Sequence, residues 1–466
     1  MCGIVGIVGK KGKGKNKRKR KGNALQIALE SLMSIQHRGQ DSCGILYYHQ
    51  DVTLKKGVGL VSEVFSHWNA QNSHAAIGHV RYPTIGTDPA RDAQPFYVNY
   101  PHGLGLSHNG NITNYYELRE ELAKKRRRLQ SRCDGELLLN VFAEELINND
   151  IYQAVENVMD RVLGSYSAVS LLADEKGRIV VFRDPWGIRP LVFGCNNNWF
   201  LAASESVALD KVGMDAHTVN PGELMILDGE EIERTQLRKE PSSHCMFEWV
   251  YFSRADSIIE GRSVYETRLE LGRNLELEQK VDVVIPVPDT ARPAALGFAE
   301  AHGLPYREGL IKNRYAGRSF IMATQKKREH AVSKLNVIKS EIKGKKIALI
   351  DDSIVRGTTS RKIVSLIRSA GAKEVHLFSS CPKIVYPCFY GIDFPSKREL
   401  IASRGEVDTI GADSVTYQSL KGLQKAIGLP DLCMACLNGD YPVECSTAQF
   451  ETMREKEREE SIWQEC

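Results

Sequence analysis

The stretch that most constrains the fold is "KKIALIDDSIVRGTTSRKIVSLIRSAGAKEVHLFSS", residues 345–380. An apolar run ends in two acids, crosses a loop of hydroxyls and glycine, opens an amphipathic helix and returns to a second apolar run. Apolar runs without alternation are strands buried on both faces, and a helical crossover brings the second strand back parallel to the first. "VDVVIPVPDTARPAALGFAEAHG", residues 281–303, repeats the order of strand, loop and helix. Residues 233–466 are therefore expected to form an α/β domain on a parallel sheet, entered through the polar connector "ERTQLRKEPSSH". The helix after the acids is expected to begin near Arg361.

The first half reads differently. Short apolar runs such as "CGIVGIV", "AAIGHVRY", "LGLSHNGNI", "SAVSLLAD" and "RIVVFRD" are separated by turn residues. Helical stretches interrupt them near residues 23–36 and 134–163. This pattern predicts an α+β domain over residues 2–232, with sheet packed on sheet and helices outside. At 466 residues, 42% hydrophobic and 26% charged, the chain has the length for two such domains and the apolar content to fold without staples.

Charge excludes one attractive reading. Residues 10–22 hold nine basic side chains and no acid, while the whole chain carries only +4, so the remainder is mildly acidic. The basic character belongs to one exposed insertion, and a nucleic-acid-binding face is not expected. No run approaches the roughly 18 apolar residues of a membrane helix, and the N-terminus lacks the order of a signal peptide. A cytoplasmic protein is expected, in which the 11 cysteines would not form a disulfide framework.

Cys2 stands directly behind Met1. Removal of that methionine, with no further propeptide, would leave a thiol and a free α-amine on one residue, and such an amine can act as a base near neutral pH. "QHRGQDSCGI" (36–45), "GHVRYPTIGT" (78–87), "LSHNGNITNYYEL" (106–118) and "CDGELLLN" (133–140) follow at intervals. In order and spacing they resemble the N-terminal-nucleophile glutamine amidotransferases. The resemblance implies that Cys2 attacks the amide carbon of glutamine, that Arg81 and Asp134 hold its α-carboxylate and α-ammonium, and that Asn109 and Gly110 form the oxyanion hole. His79 and His108 are expected to pack or support. Cys133, beside Asp134, departs from that family's usual Ser or Thr.

In the second half, backbone N–H groups of "SIVRGTTS" at a helix start can cradle a phosphate, and the acids before it can hold ribose hydroxyls. The string resembles the phosphoribosylpyrophosphate (PRPP) loop of type I phosphoribosyltransferases. By that resemblance Asp351 and Asp352 face the ribose and Mg²⁺, and Ser353, Arg356, Gly357, Thr358, Thr359 and Ser360 form the phosphate loop. Thr290 stands in the second metal and pyrophosphate loop. "IKNRYAGRSFI" resembles a segment that closes over PRPP, with Lys312, Arg314 and Arg318 available for pyrophosphate. Mg²⁺ suits few carboxylates plus substrate phosphates.

"DLCMACLNGDYP" pairs Cys433 with Cys436, and Cys388 and Cys245 lie in "VYPCFYGID" and "SSHCMFEWV". A CxxC alone fits zinc, redox chemistry or coincidence. Together the two halves resemble the glutamine PRPP amidotransferases, in whose iron–sulfur subclass cysteines in these contexts ligate a [4Fe-4S] cluster. Cys381 is the nearest rival ligand. The resemblance implies that ammonia from glutamine displaces pyrophosphate from PRPP to give 5-phosphoribosylamine, the first committed step of purine synthesis. It also implies purine nucleotide feedback and a homotetramer. A glutaminase feeding another acceptor, or a PRPP-sensing regulator, are the alternatives; the intact PRPP loop opposes the first, and Cys2, Asn109 and Asp134 together oppose the second.

Overall fold

The computed structural model describes residues 2–11, 23–66, 68, 72–82, 88–174, 176–312, 335–394 and 396–443. Arg314, Arg318, residues 83–87 and most of the basic insertion lie outside these. Of that insertion, Lys11 pairs with Glu230 at 2.8 Å and the Lys10 ammonium sits 4.3 Å above the Phe200 ring.

The N-terminal strand Gly3–Gly9 is buried along its whole length because it is covered on both faces. Ile4 and Val8 point into the layer between a seven-stranded and a six-stranded antiparallel sheet, where they meet Val169, Ile179 and Val181. Val5 and Ile7 point the other way, onto the helix Ala24–Ser34. Gly6 keeps the two sheets close, since a Cβ there would lie 3.1 Å from Ile179. On the far face of the six-stranded sheet, the helices Tyr115–Lys124, Asp134–Glu145 and Ile151–Arg161 bury Leu118, Leu137, Phe142 and Val155. Each fully buried aliphatic side chain contributes about 1.5–3 kcal/mol.

Two boundaries differ from the sequence expectation. The expected helix 134–163 is two helices, because the Asp150 side chain accepts the Gln153 N–H at 2.9 Å and caps a second start. The strand Ile232–Gln236 pairs with Glu223–Leu227, so the first domain's sheet runs past residue 232 to Gln236.

In the second half, Val283–Pro286, Lys346–Asp351, Glu374–Ser379 and Ser414–Tyr417 form a parallel sheet in that order. Helix Arg292–His302 covers one face through Ala294 and Phe298, and Thr358–Ser369 covers the other through Ile363 and Ile367. The latter helix starts three residues before Arg361, directly after Gly357, whose φ of +75° turns the loop into it. A further core joins the halves, packing Ile188 of the first domain with Trp249, Phe389 and Cys245.

Candidate active sites

Cys2 enters the leading edge of the N-terminal strand, between the strands Trp199–Ala203 and Ala75–Arg81. Its main-chain nitrogen donates to Asn109 Oδ1 at 3.1 Å, and its Sγ lies 3.6 Å from the Tyr82 carbonyl oxygen. Using Oδ1 in this way leaves Asn109 Nδ2 as the free end of a fully buried carboxamide, and it has no hydrogen-bond partner. The neighbouring Gly110 has φ +155°, and a Cβ there would stand 2.0 Å from the Ser165 carbonyl oxygen. Only glycine fits.

Arg81 and Asp134 are both brought to this site. Arg81 is buried 3.7 Å from Asp92 and within electrostatic reach of Cys2, Cys133 and Asp134. Asp134 starts the helix Asp134–Glu145 and accepts the Ile112 N–H at 3.2 Å. His79 and His108 support the site from behind. His79 Nε2 is 3.2 Å from the His108 carbonyl oxygen, and burial with the Arg81 charge lowers its pKa to about 3, so it is neutral and donates. His108 Nδ1 lies 3.7 Å from Asp134.

The second site forms where adjacent parallel strands end. Asp351 closes the strand Lys346–Asp351, and the loop with Thr290 follows the neighbouring strand Val283–Pro286. Ligands of parallel sheets bind at such carboxyl ends. Burial pushes both carboxyls up, and mutual repulsion with Asp352 adds to the rise at Asp351. Ser353 Oγ donates to Asp352 at 2.8 Å, and the Asp352 N–H to Asp351 at 2.9 Å. Thr358 and Thr359 are exposed at the helix start, with Ser360 buried beneath them. The Arg356 guanidinium is engaged through Nε by Glu399 at 2.6 Å, while its Nη2, 3.7 Å from Asp393, has no hydrogen-bond partner. Lys312 lies 3.5 Å from Asp289, beside Thr290.

Residues 79–211 match the glutamine amidotransferase domain model and residues 267–387 the phosphoribosyl transferase domain model. The amidophosphoribosyltransferase of Methanothermobacter thermautotrophicus is 44% identical over 97% of both chains. The chain belongs to the amidophosphoribosyltransferase family. The Escherichia coli amidophosphoribosyltransferase is 43% identical, covering 92% of this chain and 88% of its own. The solved glutamine PRPP amidotransferase of B. subtilis, complexed with ADP and GMP, superposes with a TM-score of 0.85 at 38% identity, over 95% of this chain and 98% of that one. Both halves of an amidophosphoribosyltransferase, a glutamine amidotransferase domain and a phosphoribosyl transferase domain, are thus present in one polypeptide.

Several residues that matter to this amidophosphoribosyltransferase arrangement escape sequence reasoning. Arg38, within the quoted "QHRGQDS" but given no role, is fully buried and donates to the Cys2 carbonyl oxygen at 2.9 Å. It also pairs with Glu205 at 2.5 Å and with Glu248, in the turn Glu248–Phe252 beyond the connector, at 2.9 Å. Glu248 Oε1 in turn lies 3.6 Å from Arg189. A buried line of charge therefore runs from the Cys2 backbone across the domain junction.

The four cysteines converge at that junction. Cys245 and Cys433 are register partners in a short parallel ladder, Cys388 is within electrostatic reach of Cys433, and Cys436 is within electrostatic reach of the other three. All four are buried in one core. Cys381 adjoins Cys436 and Cys245. Among the described residues, no three His, Cys, Asp or Glu side chains are placed to hold a single metal ion.

Proposed function

We propose that the protein hydrolyses glutamine at Cys2 and passes the ammonia to PRPP, giving 5-phosphoribosylamine, pyrophosphate and glutamate. The observation that carries the residue roles is the Asn109 carboxamide, which holds the Cys2 nitrogen with one end and offers an unpartnered donor with the other. With Met1 removed, the α-amine of Cys2 accepts the thiol proton as Sγ attacks the amide carbon. Asn109 Nδ2 and the Gly110 N–H receive the negative charge on the amide oxygen, where one donor is worth about 3 kcal/mol. Arg81 and Asp134 bind the two charged groups of the substrate's α-carbon.

At the second site the helix start and the hydroxyls of Ser353, Thr358, Thr359 and Ser360 suit the 5-phosphate. Thr290 and Lys312, with Arg314 and Arg318 of the segment beyond, take the pyrophosphate end. Asp351 and Asp352 hold the ribose. The paired carboxyls of buried Asp351 and half-buried Asp352, both raised by desolvation, fit Mg²⁺, which when bound would neutralise them and the substrate phosphates. Proximity of the two sites is supported by Tyr251, which is within electrostatic reach of Asp352, Tyr82 and Asp351.

The cysteine group suits a [4Fe-4S] cluster held by Cys245, Cys388, Cys433 and Cys436. Arg189 is fully buried within electrostatic reach of Cys245 and Cys388, and a buried cation there suits thiolate ligands. When bound, the cluster would tie the connector to the C-terminal segment. Purine nucleotide feedback is supported by the ADP and GMP in the B. subtilis relative, and a cytoplasmic homotetramer completes the reading. No helix among the described residues is long and apolar enough to cross a membrane.

Replacing Cys2 with Ala tests the core of this reading. Glutamine-dependent synthesis should disappear while ammonia-dependent synthesis persists; persistence of the former removes Cys2 as nucleophile.

A further inference from the structure

The strand Leu104–Ile112, which carries Asn109 and Gly110, is only partly covered along one edge. Its first residues pair with Phe96–Val98 over Leu104–Leu106. Alternate N–H groups of an antiparallel strand point to the same edge, so those of His108, Gly110 and Ile112 follow on the side that this short strand covers. Side chains take the outer two. Gln94 Oε1 accepts the His108 N–H at 2.8 Å, and Asp134 Oδ2 accepts the Ile112 N–H at 3.2 Å. Gly110, the proposed oxyanion donor, lies between them.

The other end of Gln94 reaches the substrate-binding helix. Its Nε2 donates to Cys133 Sγ at 3.5 Å, and that thiol lies 3.7 Å from Asp134 Oδ1. The carboxamide is seated on Gly135, where a Cβ would come within 2.8 Å of it. Gln94 is 2% exposed and Cys133 equally buried. One amide therefore spans the gap between the strand that stabilises developing charge and the helix start that binds the α-ammonium.

We propose that Gln94 is a positioning residue for glutamine hydrolysis, fixing the oxyanion strand against Asp134 through the Cys133 thiol. The inference rests on the reading of the Cys2 site as the glutamine site. Its two ends have separable consequences. The Oε1 contact positions donors used in the transition state and so bears on kcat; the Nε2 contact orients a group that binds substrate throughout and so bears on KM.

The experiment is steady-state glutamine hydrolysis by the full chain with PRPP and Mg²⁺ for Gln94→Met, Cys133→Ala, Cys133→Ser and the Gln94→Met/Cys133→Ala double variant. Ammonia-driven pyrophosphate release reports that each chain is folded. Gln94→Met should lower kcat by about 10–100-fold, the scale of a small misplacement of catalytic groups, and raise KM. Cys133→Ala should raise KM by roughly 3–10-fold with the change confined to KM, as expected when a ground-state contact is lost. Cys133→Ser keeps a donor and should restore KM. The double variant should show no higher KM than Gln94→Met, because the two residues share one link. Additive KM effects, or a Gln94→Met enzyme with wild-type kcat, overturn the proposal. If Gln94→Met does not fold, the Cys133 pair decides, and equal KM for Ser and Ala overturns it. Glutamine hydrolysis that survives Cys2→Ala instead overturns the reading of the site itself.

Discussion

Asn109 Oδ1 accepts the Cys2 main-chain N–H at 3.1 Å, while Asn109 Nδ2 has no partner. In the proposed mechanism one end of this carboxamide orients the base and the other receives the developing charge. Asn109→Ala should reduce glutamine hydrolysis by about 10²–10³-fold, as loss of one oxyanion donor does. Ammonia-dependent synthesis, measured on the same preparation, should be retained.

Glu205 makes stability depend on acid pH. Burial alone would raise its carboxyl above the usual 4.5, but the His37 and Arg38 charges and hydrogen bonds from His37 and Ser257 outweigh this and hold it well below. A carboxyl depressed in the folded state contributes stability that is present above its unfolded pKa and lost as pH falls through the folded value. Thermal unfolding of the wild type should therefore lose stability below about pH 4.5, with a slope that Glu205→Gln flattens. At neutral pH the same variant should be several kcal/mol less stable, about 3–5 being the cost of breaking a buried pair. Parallel pH curves for the two proteins would remove Glu205 from this role.

Asp351 and Asp352 are held together at a cost to the fold. Burial disfavours both charges and each repels the other. Asp352→Asn should raise the melting temperature of the ligand-free protein and abolish Mg²⁺-dependent use of PRPP, a trade of stability for function. Calorimetry and pyrophosphate release, measured together, check the two signs.

The cysteine group makes a chemical prediction. Anaerobically purified protein should contain about four irons per chain with broad visible absorption, as a four-cysteine [4Fe-4S] site requires. Cys433→Ser should lose most of that iron, whereas Cys381→Ser should keep it. Stoichiometric zinc with no iron would contradict the cluster.

What could be read from the sequence divides by how local the information is. The strand Lys346–Asp351 and the helix beyond it are announced by an apolar run and a glycine within a few residues, and only the helix start is displaced, because Gly357 turns the chain earlier than Arg361. Cys2, Arg81, Asn109 and Asp134 lie in compact motifs and do meet in space. Arg38 meets Glu248 across 210 positions, and Gln94 meets Cys133 across 39, with no periodicity to announce either contact. Such partners are chosen by the packing of finished sheets and helices. The engagement of Arg356 by Glu399 is another case: the loop motif was legible, but the destination of its longest side chain was not.

The most direct test of the whole account is the coupling of the two sites. Incubating the protein anaerobically with glutamine, PRPP and Mg²⁺ and measuring glutamate and pyrophosphate should give equal amounts of each, with glutamate formation strongly dependent on PRPP. Glutamate released at the same rate without PRPP, or without matching pyrophosphate, would contradict it.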